Sequence, residues 1–183
     1  MHATLEKLAL GIDWLNEWIG RAVSWLTLGM VLVTFAVVVL RYGFNLGWIA
    51  MQESVTYLHA VVFLIGAAYT LKHDGHVRVD IFYRDMSPRA KAWVNLAGSA
   101  LLLLPVCVFI FWTSWGYVTE SWSLRESSPD AGGLPWVYAL KTTMLIMAAL
   151  VILQGIAMAL CSLLTLSGYQ APQEPDAGLK REI

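Results

Sequence analysis

Charge is what this chain has least of. Asp, Glu, Lys and Arg make up 14% of its 183 residues against 58% apolar, and the mean hydropathy is +0.61. Soluble domains are roughly 45 to 50% apolar, so a water-soluble core is excluded. The formal net charge is −1 and no basic block stands in a polar, aromatic setting, which leaves nucleic-acid binding without a footing. Cysteine is nearly absent too. Cys107 and Cys161 both lie inside apolar runs and lack C-x-x-C or His/Cys spacing, so they read as small apolar side chains and not as a disulfide or a zinc site. A Ser, His and acid set, a Gly-rich phosphate loop and paired carboxylates are also missing, and no enzyme activity is expected.

What the chain does have is four apolar stretches long enough to cross a bilayer core, which takes roughly 20 helical residues. They run about 22–40, 51–71, 92–118 and 136–166, the last two with length to spare for tilting. Trp18, Trp25, Tyr42, Trp48, Tyr69, Trp93, Trp115, Tyr117, Trp122, Trp136 and Tyr138 gather near their ends, as an aromatic belt does at both interfaces. Ahead of the first span, Leu5, Leu8, Ile12, Leu15 and Ile19 recur at spacings of three and four while Glu6, Lys7, Asp13, Asn16 and Glu17 fall largely elsewhere. That periodicity predicts an amphipathic helix over 1–20 lying in the interface, with a cytosolic extension of the first membrane helix as the alternative. The expected fold is therefore an all-α integral membrane protein, with a four-helix transmembrane domain over 21–166 and a disordered cytoplasmic tail over 167–183.

The longest polar interruption is Lys72 to Lys91, with five of the twelve Lys and Arg residues. In it His76, Arg78 and Asp80 alternate with Val77, Val79 and Ile81, so one side stays wet while the other meets headgroups or a neighbouring protein. In a four-span arrangement nine Lys and Arg fall on the side of this hinge and of both termini, against Arg41, Arg125 and Lys141 on the other. Positive residues favour the cytoplasm, so both termini are expected there. The connections 41–50 and 119–135 then face the opposite compartment, the second rich in turn formers, with Pro135 placed to start the fourth helix.

Ionisable groups inside a membrane are the first place to look for function, because each costs about 2.5 to 3.5 kcal/mol at the bilayer centre. Here Glu53 and Lys141 sit within reach of the interface, Arg41 and Glu120 at span ends, and the expectation is anchoring, local pairing among Arg41, Glu53, Glu120, Arg125 and Lys141, or docking of another polypeptide. His59 and Gln154 are the deepest polar side chains, and each needs a hydrogen-bond partner. A haem-binding anchor subunit of a redox complex is the alternative, with His59 as one axial ligand and Met144, Met147 or Met158 as the other. A self-assembling exporter would have Glu53 alone as its membrane carboxylate. Secondary transporters carry midplane sites on unwound helices in repeated halves. Only Pro105 interrupts a span here, and no repeat is evident, so the chain is not expected to carry a solute by itself. Small residues at four-residue spacing, Gly155 with Ala159 and Ala157 with Cys161, permit close helix approach within or between chains.

With these residues in view, the chain resembles the small membrane subunit, the DctQ-like or Q subunit, of tripartite ATP-independent periplasmic (TRAP) transporters. The resemblance rests on RYGFN at Arg41 to Asn45, Trp48 followed by Glu53, GHVRVDIF at Gly75 to Phe82 and GGLPWVYALK at Gly132 to Lys141, in that order between four spans, and covers about Val23 to Leu160. It implies a bacterial inner-membrane protein without cofactor, paired with a large permease (M subunit) and served by a periplasmic substrate-binding protein (P subunit). The complex would import an organic anion such as a carboxylate on an ion gradient, commonly sodium, with the transport site on the large subunit. Arg41, Asn45, Trp48, Glu53, His76, Arg78, Asp80, Arg125 and Lys141 are the residues expected to meet these partners or to anchor the chain in lipid.

Overall fold

The computed structural model describes residues 2–77 and 81–168. These form α1 (His2–Gly43), α2 (Ile49–Ile65), α3 (Ala67–Lys72), α4 (Pro88–Gly98), a π-helical turn (Ser99–Leu103), α5 (Leu104–Ser123) and α6 (Val137–Leu166), with no strand among the described residues. α2 and α3 are stacked as one span, as are α4, the π turn and α5, giving four membrane-spanning helical units. The protein is an all-α membrane protein. Arg78 and Asp80 of the hinge, and the tail from residue 169, lie outside the described residues.

The sequence reading separates an interfacial helix near residue 20 from the first span, whereas the structure draws no boundary there. α1 is unbroken over 42 residues, about 63 Å of helix against a hydrocarbon core of roughly 30 Å. It holds no proline, and Gly20, the position where a break would be easiest, is covered by the Tyr69 ring of α3, where an added Cβ would lie 2.5 Å from Tyr69 Cβ. Glycine at 20 is thus a contact point between two helices.

Other boundaries follow local chemistry. α4 begins at Ser87, whose hydroxyl accepts from the Ala90 N–H at 3.3 Å, with Pro88 in the first turn. α5 ends in a Schellman arrangement in which Arg125 takes φ 50°, Glu126 N–H donates to Ser121 O at 3.0 Å and Arg125 N–H to Trp122 O at 3.2 Å. α3 ends the same way at Asp74 (φ 58°), with Gly75 N–H on Thr70 O at 2.9 Å. Two interruptions occur inside spans. Gly66 separates α2 from α3, and the π turn immediately precedes Pro105, easing the missing N–H of the proline.

α6 is the axis of the bundle, packing against every other helix, and it supplies most of the buried positions. Ala68, Cys107, Leu150 and Val151 form the core, flanked by Ile19, Ile65, Leu71, Leu103 and Met147. Gly155 lies under Leu103 and Leu104, with an added Cβ 2.8 Å from Leu103 Cδ2, so this small residue serves a seam inside the chain. α1 and α5 turn large apolar residues outward along their length, including Trp25, Phe35, Phe109 and Trp112.

Candidate functional site

The polar side chains of the bundle collect in two clusters, one at each end. At the end where α2 begins and α5 finishes, Glu53 leaves the second turn of α2 and crosses to the α5–α6 connection. Its carboxylate accepts from the Leu134 N–H at 2.6 Å and from the Ser128 hydroxyl. The connection is closed on itself, with Ser128 N–H on Leu134 O at 3.0 Å, Asp130 N–H on Ser128 Oγ at 3.1 Å and Gly133 N–H on Asp130 O at 3.0 Å. Gly133 is required for this, since an added Cβ would stand 2.7 Å from Glu53 Oε1 and closer still to Ser128.

Beside it, Lys141 in the second turn of α6 pairs with Glu126, which also accepts from the Ser121 hydroxyl at 2.6 Å. The Lys141 ammonium lies 3.9 Å from the centre of the Tyr117 ring. Trp122 Nε1 donates to Thr142 Oγ1 at 2.8 Å, and the Trp122 and Tyr138 rings meet at 4.6 Å. The Lys141 ammonium, and after it the Ser121 hydroxyl, hold the Glu126 carboxyl below the ordinary carboxylate range.

At the other end Glu17 of α1 gathers three bases: Lys72 at 2.8 Å, His73 at 2.7 Å and Arg21 at 2.7 Å. Next to it on α1, Asn16 donates to Gln154 Oε1 of α6 at 2.7 Å, and Gln154 Nε2 donates to Asp13 Oδ1, one turn before Glu17, at 2.8 Å. Asn16 and Gln154 are 1% and 2% exposed, so this is a buried amide pair joining α1 to the central helix. Within a low-dielectric bundle such bonds hold helices at a fixed depth and rotation.

The structure distributes the expected site residues unevenly. Glu53 and Lys141 enter the first cluster, but Lys141 takes Glu126 and Glu53 takes a backbone N–H and a serine, while Arg41 and Arg125 form no ion pair among the described residues. Arg41 is exposed in the last turn of α1, and Asn45 and Trp48 are exposed on the α1–α2 connection, which turns at Asn45 (φ 54°) so that Leu46 N–H reaches Leu40 O at 2.9 Å. His76 is exposed. Gln154 finds the partner its burial demands, in Asn16 and Asp13. His59 does not face the core; it is exposed on α2, its ring 6.0 Å from that of Phe63, so the bundle core does not enclose it as an axial ligand. Among the described residues no group of three His, Cys, Asp or Glu side chains is placed to hold a metal ion. The residues sequence reasoning missed are Glu17, Asn16, Lys72, His73 and Glu126; the one available signal was the break in α1's apolar stripe at Asn16 and Glu17.

Residues 30–165 match the family model described as tripartite ATP-independent periplasmic transporters, DctQ component. Among curated proteins, the chain is similar to a putative TRAP transporter small permease protein of Haemophilus influenzae, 29% identical over 125 residues, 67% of this chain and 76% of that protein. It is also similar to the C4-dicarboxylate TRAP transporter small permease protein DctQ of Vibrio cholerae, 30% identical over 104 residues, 55% of this chain. The second match spans 45% of the Vibrio protein, less than half its length. No solved structure matches the chain.

Proposed function

The chain belongs to the DctQ component family of TRAP transporters, a small permease subunit of such a system, and from that premise we propose that it is a non-catalytic scaffold for a large permease subunit. The observation that carries the reading is that most polar side chains directed between helices bond one another, Glu17 with Lys72, Asn16 with Gln154, Glu53 with the 128–134 loop and Glu126 with Lys141, leaving only the Tyr57 hydroxyl and Asn16 Oδ1 buried without a partner among the described residues. Such side chains lock the helices at two depths. A body fixed in this way suits support and docking better than moving a solute.

The complex would import an organic anion of the carboxylate class on an ion gradient, and by resemblance sodium is the coupling ion we propose. The excess of Lys and Arg on the hinge side puts both termini and the Glu17 cluster at the cytoplasmic face of a bacterial inner membrane. The exposed turn Arg41 to Trp48 and the Glu53-bound loop then face the periplasm, where a substrate-binding protein arrives. The first residues of α1 continue the same unbroken helix beyond the Glu17 cluster. Reconstitution tests this: carboxylate uptake into liposomes should require the large subunit and the binding protein together with this chain, and the chain should co-purify with the large subunit. Solute movement by the chain alone would overturn it.

A further inference from the structure

Most exposed side chains in the spans are apolar, and several exposed hydroxyls bond back to their own helix: Ser24 to Arg21 O, Thr34 to Met30 O, Thr113 to Phe109 O and Thr119 to Trp115 O. Such groups are satisfied facing lipid. The outward face of α2 is different. Its exposed residues are Ile49, Gln52, Thr56, His59 and Phe63, at successive spacings of three, four, three and four. That is the seam of a helix packed against one other helix at a shallow crossing angle. The side chains of Gln52, Thr56 and His59 make no hydrogen bond among the described residues, although the stripe is flanked by apolar Ile49 and Phe63, 40% and 71% exposed.

Depth sharpens the point. The α2–α3 span is 24 residues long, and His59 lies ten residues from its start, roughly 15 Å along the helix and close to the bilayer midplane. Acyl chains offer the His59 imidazole nothing to bond, so an occupant of this face must carry a polar side chain within the membrane at that level. We propose that the Gln52, Thr56 and His59 face of α2 receives a single membrane helix of the large permease subunit, one presenting a hydrogen-bonding side chain level with His59. The proposal rests on the reading that the chain partners such a subunit, and it names the face.

The test uses the full chain in membranes with its large permease subunit. A benzophenone attached at Thr56→Cys, in a Cys161→Ser background, should on illumination join the chain covalently to the permease. Co-purification of the unsubstituted chain is scored in parallel. An adduct with a second copy of this chain, or no adduct while the permease still co-purifies, overturns the assignment of the face and leaves the partnership standing. Loss of co-purification by the unsubstituted chain overturns the partnership itself. As an independent readout, His59→Leu should lower the permease recovered about three- to tenfold, the range of one interhelical hydrogen bond, whereas His59→Gln retains most of it and Phe109→Leu on the outward face of α5 changes nothing. Equal recovery with His59→Leu and the native chain also overturns the proposal.

Discussion

The two polar clusters solve one problem in different materials. At the Glu17 end every participant but His73 is rooted in a helix, and the innermost bond, Asn16 to Gln154, is an amide contact at nearly complete burial, continued from Gln154 to the half-buried Asp13. At the Glu53 end helices are tied to a connection: Glu53 is spent on a loop N–H and a loop hydroxyl, and Lys141 on Glu126, just past the end of α5. The first cluster therefore sets how helices stand against each other, and the second sets the shape of a loop. Breaking the first should cost stability; breaking the second should cost local order at the surface.

The largest expected effect is at Gln154. Gln154→Leu strips Asn16 and Asp13 of their partner and should destabilise the fold by about 1 to 3 kcal/mol, the cost of leaving a buried polar group unpaired, measured by denaturant unfolding in micelles. Adding Asn16→Leu should recover part of that loss; a larger loss in the double variant would break the comparison. Next is Glu17→Gln, which weakens three partly exposed pairs and should cost about 1 kcal/mol or less.

At the other end, Gly133→Ala pushes Glu53 from the loop. We expect amide exchange at Leu134 to quicken roughly fivefold, the ratio for one lost hydrogen bond of about 1 kcal/mol, with the unfolding midpoint nearly unchanged. A global loss equal to that of Gln154→Leu would erase the distinction between the ends. The smallest effect concerns acid. Because the folded protein holds Glu126 below its ordinary value of 4.5, the contribution of this carboxylate is complete above that pH and is lost as pH falls through the lower folded value. Tryptophan fluorescence near Trp122 should report loosening only in that acid window, and Lys141→Met should flatten the response.

Much of this was legible in the chain. Spans could be placed because apolar runs of bilayer length are hard to mistake, although the polar start of α4 at Ser87–Pro88 lies ahead of the run expected from residue 92. Gln154 could be seen to need a partner. Which partner could not be seen, because Asn16 lies 138 residues away and its neighbourhood reads as the polar side of a surface helix. Pairing at the other end was expected among charges, yet Glu53 took a backbone N–H and a serine, groups that carry no charge pattern in a sequence. The unbroken course of α1 was only the alternative reading of the sequence, and the reason for glycine at 20, the Tyr69 ring packed over it, comes from another helix and could not be seen there.

The wide turn at Ser99–Leu103 has an arithmetical consequence. It holds one residue beyond what an α-turn takes up, and each residue advances a helix by about 100°. Everything after it is therefore rotated by that amount relative to Pro88–Gly98, and this offset is what sends Cys107 and Val118 inward while Trp112 and Trp115 look out. Removing a single residue, Leu101 for instance, would regularise the spiral and at the same stroke swing the aromatic flank of α5 a quarter-turn toward α6.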